Sequence, residues 1–94
     1  METAFSSDMQ EASARIVTFT VVGRLDDARR EIGWIRDHSQ ETAIRNQLLD
    51  DLERDLGEFY QSRNHLQLMT RVQHMARAAI EAGPSDTDKA LMRY

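Results

Sequence analysis

The stretch Ile16-Val17-Thr18-Phe19-Thr20-Val21-Val22 decides how this 94-residue chain is to be read. It is dense in β-branched residues, which suit a strand. Val17, Phe19 and Val21 alternate there with Thr18 and Thr20. The same residues also extend a helical pattern that begins upstream. Over residues 8–22, Ser7 stands as an N-cap with Gln10 three positions on, and Met9, Ala12, Ile16 and Phe19 form one stripe. The two periods send different side chains to the core, so the choice between them fixes the fold class.

Downstream the periodicity is helical throughout. Residues 25–37 place Leu25, Ala28, Ile32 and Ile35 on one face. Asp26 and Asp27 lie in the first turn and Arg36 and His38 near the end, which complements the helix dipole. Residues 39–61 predict a longer helix with Ser39 as N-cap and a wide stripe of Ile44, Leu48, Leu49, Leu52, Leu56, Phe59 and Tyr60. Gln61-Ser62-Arg63-Asn64 is the expected bend. Residues 64–82 then predict a further helix, with Asn64 and Gln67 as a capping box. Leu68, Met69, Val72, Met75, Ala76, Ala79 and Ile80 recur along it at 3–4 spacing. Gly83-Pro84 stops that helix. The tail from Ser85 is free to start another turn or to fray.

The expectation is an all-α fold: a compact bundle of three to four helices arranged in hairpins. One domain covers residues 1–94, with 1–7 and 85–94 as flexible ends. A domain this small buries a modest share of its surface, so a dimer is the expected assembly. The apolar share is 40% and the charged share 30%, which is ordinary for a folded protein. The formal net charge is −4, which argues against broad salt-driven binding to nucleic acid. There is no cysteine, which removes disulfides, thiolate nucleophiles and cysteine-ligated zinc. The first fifteen residues lack the early positive charge and apolar run of a signal peptide, and no segment is long and apolar enough for a membrane span. A cytoplasmic setting is the expectation.

A search for chemistry along the chain yields no catalytic, cofactor or metal site. There is no Gly-x-Ser-x-Gly, no phosphate-binding glycine loop with lysine, and no His-Glu-x-x-His. His38, His65 and His74 are not spaced as zinc ligands. Asp51 and Asp55 stand one turn apart without an evident third ligand. The charges are segregated instead. Acidic residues gather in residues 50–58 and arginines in 63–77, so antiparallel packing of these two segments would neutralise both.

Candidates for binding a partner protein are the large apolar residues. Trp34 is the only tryptophan. On a helical wheel it falls away from the Leu25/Ala28/Ile32/Ile35 face, which suits an interface anchor. Arg30, one turn earlier, is placed to stack on its ring. Phe19, Phe59, Tyr60, Met69 and Met75 complete the set, the methionines as lining of an adaptable groove.

Each reading of residues 16–22 carries a family resemblance. Read as helices, Phe19, Gly23, Ala28 and Ile32 are spaced so that the segment resembles one tetratricopeptide unit. Leu56-Gly57 with Tyr60 looks like the start of another, with Met69 where that family has a small residue. This resemblance implies paired helices that bind a protein segment. Read as a strand, residues 15–58 resemble a ribbon–helix–helix DNA-binding protein of the antitoxin kind. There the strand pairs with a second copy in the major groove, and Thr18 and Thr20 point at bases. The leading functional expectation is a helical protein–protein interaction module, acting as a regulator, adaptor or chaperone by masking its partner. The ribbon–helix–helix regulator is the alternative.

Overall fold

The computed structural model describes residues 4–91. The chain forms five α-helices, four of them long: α1 (Ala4–Val21), α2 (Leu25–His38), α3 (Ala43–Ser62), α4 (His65–Ala82) and the short α5 (Asp86–Leu91). No strand occurs among the described residues. The extended reading of residues 16–22 is therefore overturned, and with it the ribbon that the DNA-binding alternative requires. The reason lies in which side chains reach the core. Met9, Ala12, Ser13, Ile16 and Thr20 are buried, a 3–4 pattern that continues unbroken through the β-branched run. Val17, Phe19 and Val21, which a strand would have sent inward together, are only half-buried. Packing at a helical period has overridden local strand preference.

All four long helices contribute to a single core. It joins Met9 and Ile16 of α1, Ile32 and Ile35 of α2, Leu49, Leu52 and Leu56 of α3, and Leu68 and Met75 of α4. α1 packs along α2 and α4 and also touches α3. The two hairpins thus share one interior, and they do not stand as successive repeat units.

Three short connections set the geometry. After α1, Gly23 takes φ +86°, and the amides of Gly23 and Arg24 bond back to Thr20 and Phe19. After α3, Arg63 adopts the left-handed conformation at φ 58°, and Asn64 caps α4 by accepting from the Gln67 amide at 3.3 Å. The expected capping box is present in altered form, since the Gln67 side chain returns to the Asn64 side-chain amide (3.0 Å) and not to its backbone. The chain thus breaks between two helices at residues 63–64, within the expected bend. Gly83, at φ +87°, ends α4, and Ser85 caps α5 by accepting from the Asp88 amide.

Several boundaries differ from the sequence expectation. Ser7 lies inside α1 and does not cap it, and α1 and α5 include residues 4–7 and 86–91 of the two ends; residues 1–3 and 92–94 lie outside the described residues. Ser39 does not cap α3. It closes α2, its hydroxyl donating to the Ile35 carbonyl at 2.7 Å, and Thr42 caps α3 by accepting from the Arg45 amide. Ile44, expected on the apolar stripe, lies in the first turn of α3 and is 70% exposed.

The residue that takes the first place on the buried stripe of α3 is Arg45. Its guanidinium is buried and donates to the backbone carbonyls of Arg36 (3.0 Å) and Ser39 (2.6 Å) at the end of α2. Asn46 accepts from its other nitrogens. Around it the turn between α2 and α3 is stitched to the end of α4. Gln40 donates to the Gly83 carbonyl, Ser85 donates to the His38 carbonyl, and Ser39 and Pro84 form an isolated bridge. Desolvation lowers the Arg45 pKa, and the nearby positive charge of Arg36 adds to it, with Glu41 opposing.

Candidate docking groove

The charged residues sort themselves by helix seam. Arg15 of α1 meets Glu31 of α2 at 3.0 Å. Arg36 of α2 reaches Asp50 (2.6 Å) and Glu53 (3.1 Å) of α3. Arg71 of α4 meets Asp55 of α3 at 2.7 Å. The acidic stretch of α3 is therefore neutralised from both sides, and α4 supplies only part of that charge. Burial works against the Arg36 charge, but Asp50 and Glu53 outweigh it and raise its pKa. Arg54, despite some desolvation of Asp55, holds that carboxyl below its ordinary range together with Arg71.

Among the described residues no ion pair or side-chain hydrogen bond crosses the α1/α4 seam. That seam is open instead. A groove of about 960 Å³ runs along it, between Gln10, Ser13, Ala14, Val17 and Thr18 of α1 and Met69, Val72, Gln73, Ala76, Arg77, Ile80 and Glu81 of α4. The small side chains of Ser13, Ala14 and Ala76 let the two helices lie close while leaving a channel above them. Val17, Val72 and Ile80 make its walls apolar, Gln73 interrupts them midway along α4, and Gln10, Arg77 and Glu81 make its rim polar. Met69 stands at one end, 45% exposed. With α1 and α4 running in opposite senses, that end also carries Val22 and Leu66, which are 59% and 77% exposed. Three of the four large hydrophobic residues exposed among the described residues thus lie on this edge, the fourth being Ile44.

The sequence-predicted partner residues are divided by the fold. Met69 lines the groove. Met75 and Phe59 are buried in the core, so neither can meet a partner on the surface. Phe59 is covered by the Arg71 guanidinium at 5.5 Å. Tyr60 lies against Gly23 and carries Arg63 over its ring at 5.2 Å. Phe19 is half-buried beneath Arg24 at 5.0 Å. Trp34 packs partly against the core, and its ring stacks on His38 with centroids 4.2 Å apart. Arg30 is not its stacking partner, because Asp27 holds that guanidinium in an ion pair. His38 takes the stacking position because its Nδ1 donates to the Trp34 carbonyl at 2.8 Å, which fixes the imidazole over the indole.

Sequence reasoning missed Ala14, Val17, Ala76 and Ile80 as walls of one groove. A signal was present. α4 carries apolar residues on more of its circumference than one neighbouring helix can cover.

Other places offer less. A smaller cleft of about 340 Å³ between the end of α3 and the start of α4 is floored by Phe59, and its arginine, Arg71, is already held by Asp55. Among the described residues no three His, Asp or Glu side chains gather as metal ligands, and Asp51 and Asp55 both face Arg54. No helix among them is long and apolar enough to cross a membrane. No protein-family model, no curated protein and no solved structure matches the chain.

Proposed function

We propose that this protein is a small helical protein–protein interaction module that works by taking an apolar helix of another chain into the α1/α4 groove. The cytoplasm is its setting. The observation that supports this reading is the coincidence of three features on one seam: a channel with apolar walls, a polar rim, and an end marked by exposed Leu66, Met69 and Val22. Helix-in-groove recognition uses this arrangement, with apolar anchors filling the channel and polar contacts fixing their register. Large exposed apolar side chains at the end of such a channel suit that role.

A photo-crosslinking amino acid at Gln73 tests the reading in the cells that make the protein. Protein adducts are expected from positions 73 and 18, on the groove, and not from position 50 on the opposite side of the fold. Equal labelling from all three, or none from 73 and 18, overturns it.

A further inference from the structure

We infer that the helix seated in the α1/α4 groove is α4 of a second copy of this chain, the two copies related by a two-fold axis so that each fills the other's groove. This rests on the docking reading above and names its partner.

The argument begins with α4, which carries two apolar stripes. Leu68, Val72, Met75 and Ala79 face the core and are buried. Leu66, Met69, Gln73, Ala76 and Ile80 form the second, spaced three, four, three and four residues apart. Four of these five line the groove, and Leu66 continues the line past its end. Alternating spacing of this kind is the seam of a helix that packs against another helix. α1 offers a matching wall in Ala14 and Val17, so an incoming helix rests on two others.

Three observations select a second copy as the occupant. The first is Gln73, a polar residue in the middle of the stripe. Its amide both donates and accepts, so it can satisfy another glutamine, whereas a purely apolar helix would leave it unpaired. In an antiparallel pairing Gln73 comes beside the small Ala76 of the copy, and Met69 beside Ile80, so the bulky apolar side chains flank a polar centre with room for it. The second is charge. The chain carries −4 overall, but α3, with its cluster of carboxylates, contributes nothing to the groove. The groove's own charges are Arg77 and Glu81, one of each sign. Two identical faces therefore meet without mutual repulsion, and a strongly basic or acidic partner finds no complement. The third is size. Two helices side by side, about 27 Å long and about 20 Å across, present about 540 Å² before corrugation, near the ~600 Å² per partner at which stable interfaces begin.

The test is the solution mass of the purified full chain by light scattering and sedimentation. A dimer is expected. Met69→Glu combined with Gln73→Glu, both at exposed positions, is expected to raise the dimer dissociation constant at least about tenfold, by placing like charges beside the axis at position 73 and a charge against Ile80 of the copy at position 69, with helical circular dichroism unchanged. Ile44→Glu, equally exposed but off this face, leaves the dimer intact. A monomer at the highest soluble concentration overturns the inference, as does a dimer that ignores the paired glutamates. If the pure chain is monomeric while position 73 crosslinks a different protein in cells, the second copy is excluded and the docking reading stands. If position 73 captures nothing as well, both fall.

Discussion

Gly23 and Tyr60 meet so closely that a Cβ on the glycine would require the tyrosine ring to shift. A Cβ built on Gly23 would lie 2.9 Å from Tyr60 Cζ and 3.1 Å from its hydroxyl oxygen. The contact fastens the α1–α2 turn to the far end of α3, and the turn itself needs a positive φ. Gly23→Ala is expected to destabilise the fold by about 1–3 kcal/mol, from backbone strain and overpacking together. Comparing it with the Gly23→Ala/Tyr60→Ala pair in denaturant melts separates the two causes, since only the packing part disappears when the ring is gone. Gly33, inside α2 with nothing near its Cβ position, provides the opposite sign: Gly33→Ala is expected to stabilise by about 0.5–1 kcal/mol.

Arg45 is expected to be the most sensitive charged residue in the chain. Arg45→Met leaves the Arg36 and Ser39 carbonyls without their buried donor and should cost about 2–4 kcal/mol. Arg45→Lys recovers only part of that, because an ammonium cannot reach both carbonyls and Asn46 in one plane. Thermal melts of the two variants check the ranking; equal stability of Arg45→Met and wild type would remove the guanidinium from its clasp role.

Thr20 is fully buried, and its hydroxyl oxygen has no hydrogen-bond partner. Replacing that hydroxyl by a methyl group keeps the volume and removes an unmet polar group. Thr20→Val is therefore expected to stabilise by up to about 1 kcal/mol, whereas Thr20→Ala loses packing and destabilises. A chemical-denaturation midpoint that falls for Thr20→Val would show that the hydroxyl is satisfied in solution.

Acid acts on the α3/α4 seam. The Asp55 carboxyl titrates below its ordinary range because Arg54 and Arg71 favour its charged form. A depressed folded-state pKa contributes stability that is present above the unfolded value of about 3.9 and fades as pH falls through the folded one. The Arg71 bridge should contribute no more than about 1 kcal/mol. Asp55→Asn is expected to lower stability at neutral pH and to shrink the further loss between about pH 5 and pH 2. Urea melts across that window measure it.

Much of this architecture can be read from residue patterns, and the failures have physical causes. α2 and α4 follow from apolar spacing and end signals such as Asn64 and Gly83, because those helices obey local rules. The run from Ile16 to Val22 does not, since its β-branched residues favour a strand and only the position of Thr20 four residues after Ile16 marks the buried face. Ser39 and Thr42 are both good caps on paper. What separates them is Arg45, whose need for carbonyl acceptors places Ser39 at the end of α2. Of the expected partner residues, Met75 and Phe59 went to the core because aromatic and methionine side chains at helical spacing serve interior packing equally well. The groove was hidden because eight of its twelve lining residues are polar or small. It emerges only once α1 and α4 are known to be neighbours.

The stitch between residues 38–40 and 83–85 has a consequence for how the molecule comes apart. Gln40 also reaches Asp86 with its side chain, across a separation of 46 residues. The span between the two segments of the stitch is therefore held as a closed loop without a covalent link, and α5 is tethered to the far end of α2. Fraying of the C-terminal helix cannot remain local. Once the Ser85 amide lets go, the His38 carbonyl is left bare and the Ser39–Arg45 corner loses one of its supports. The amides of Gln40 and Ser85 should then exchange with solvent together, as a single cooperative unit, although they lie in opposite halves of the chain.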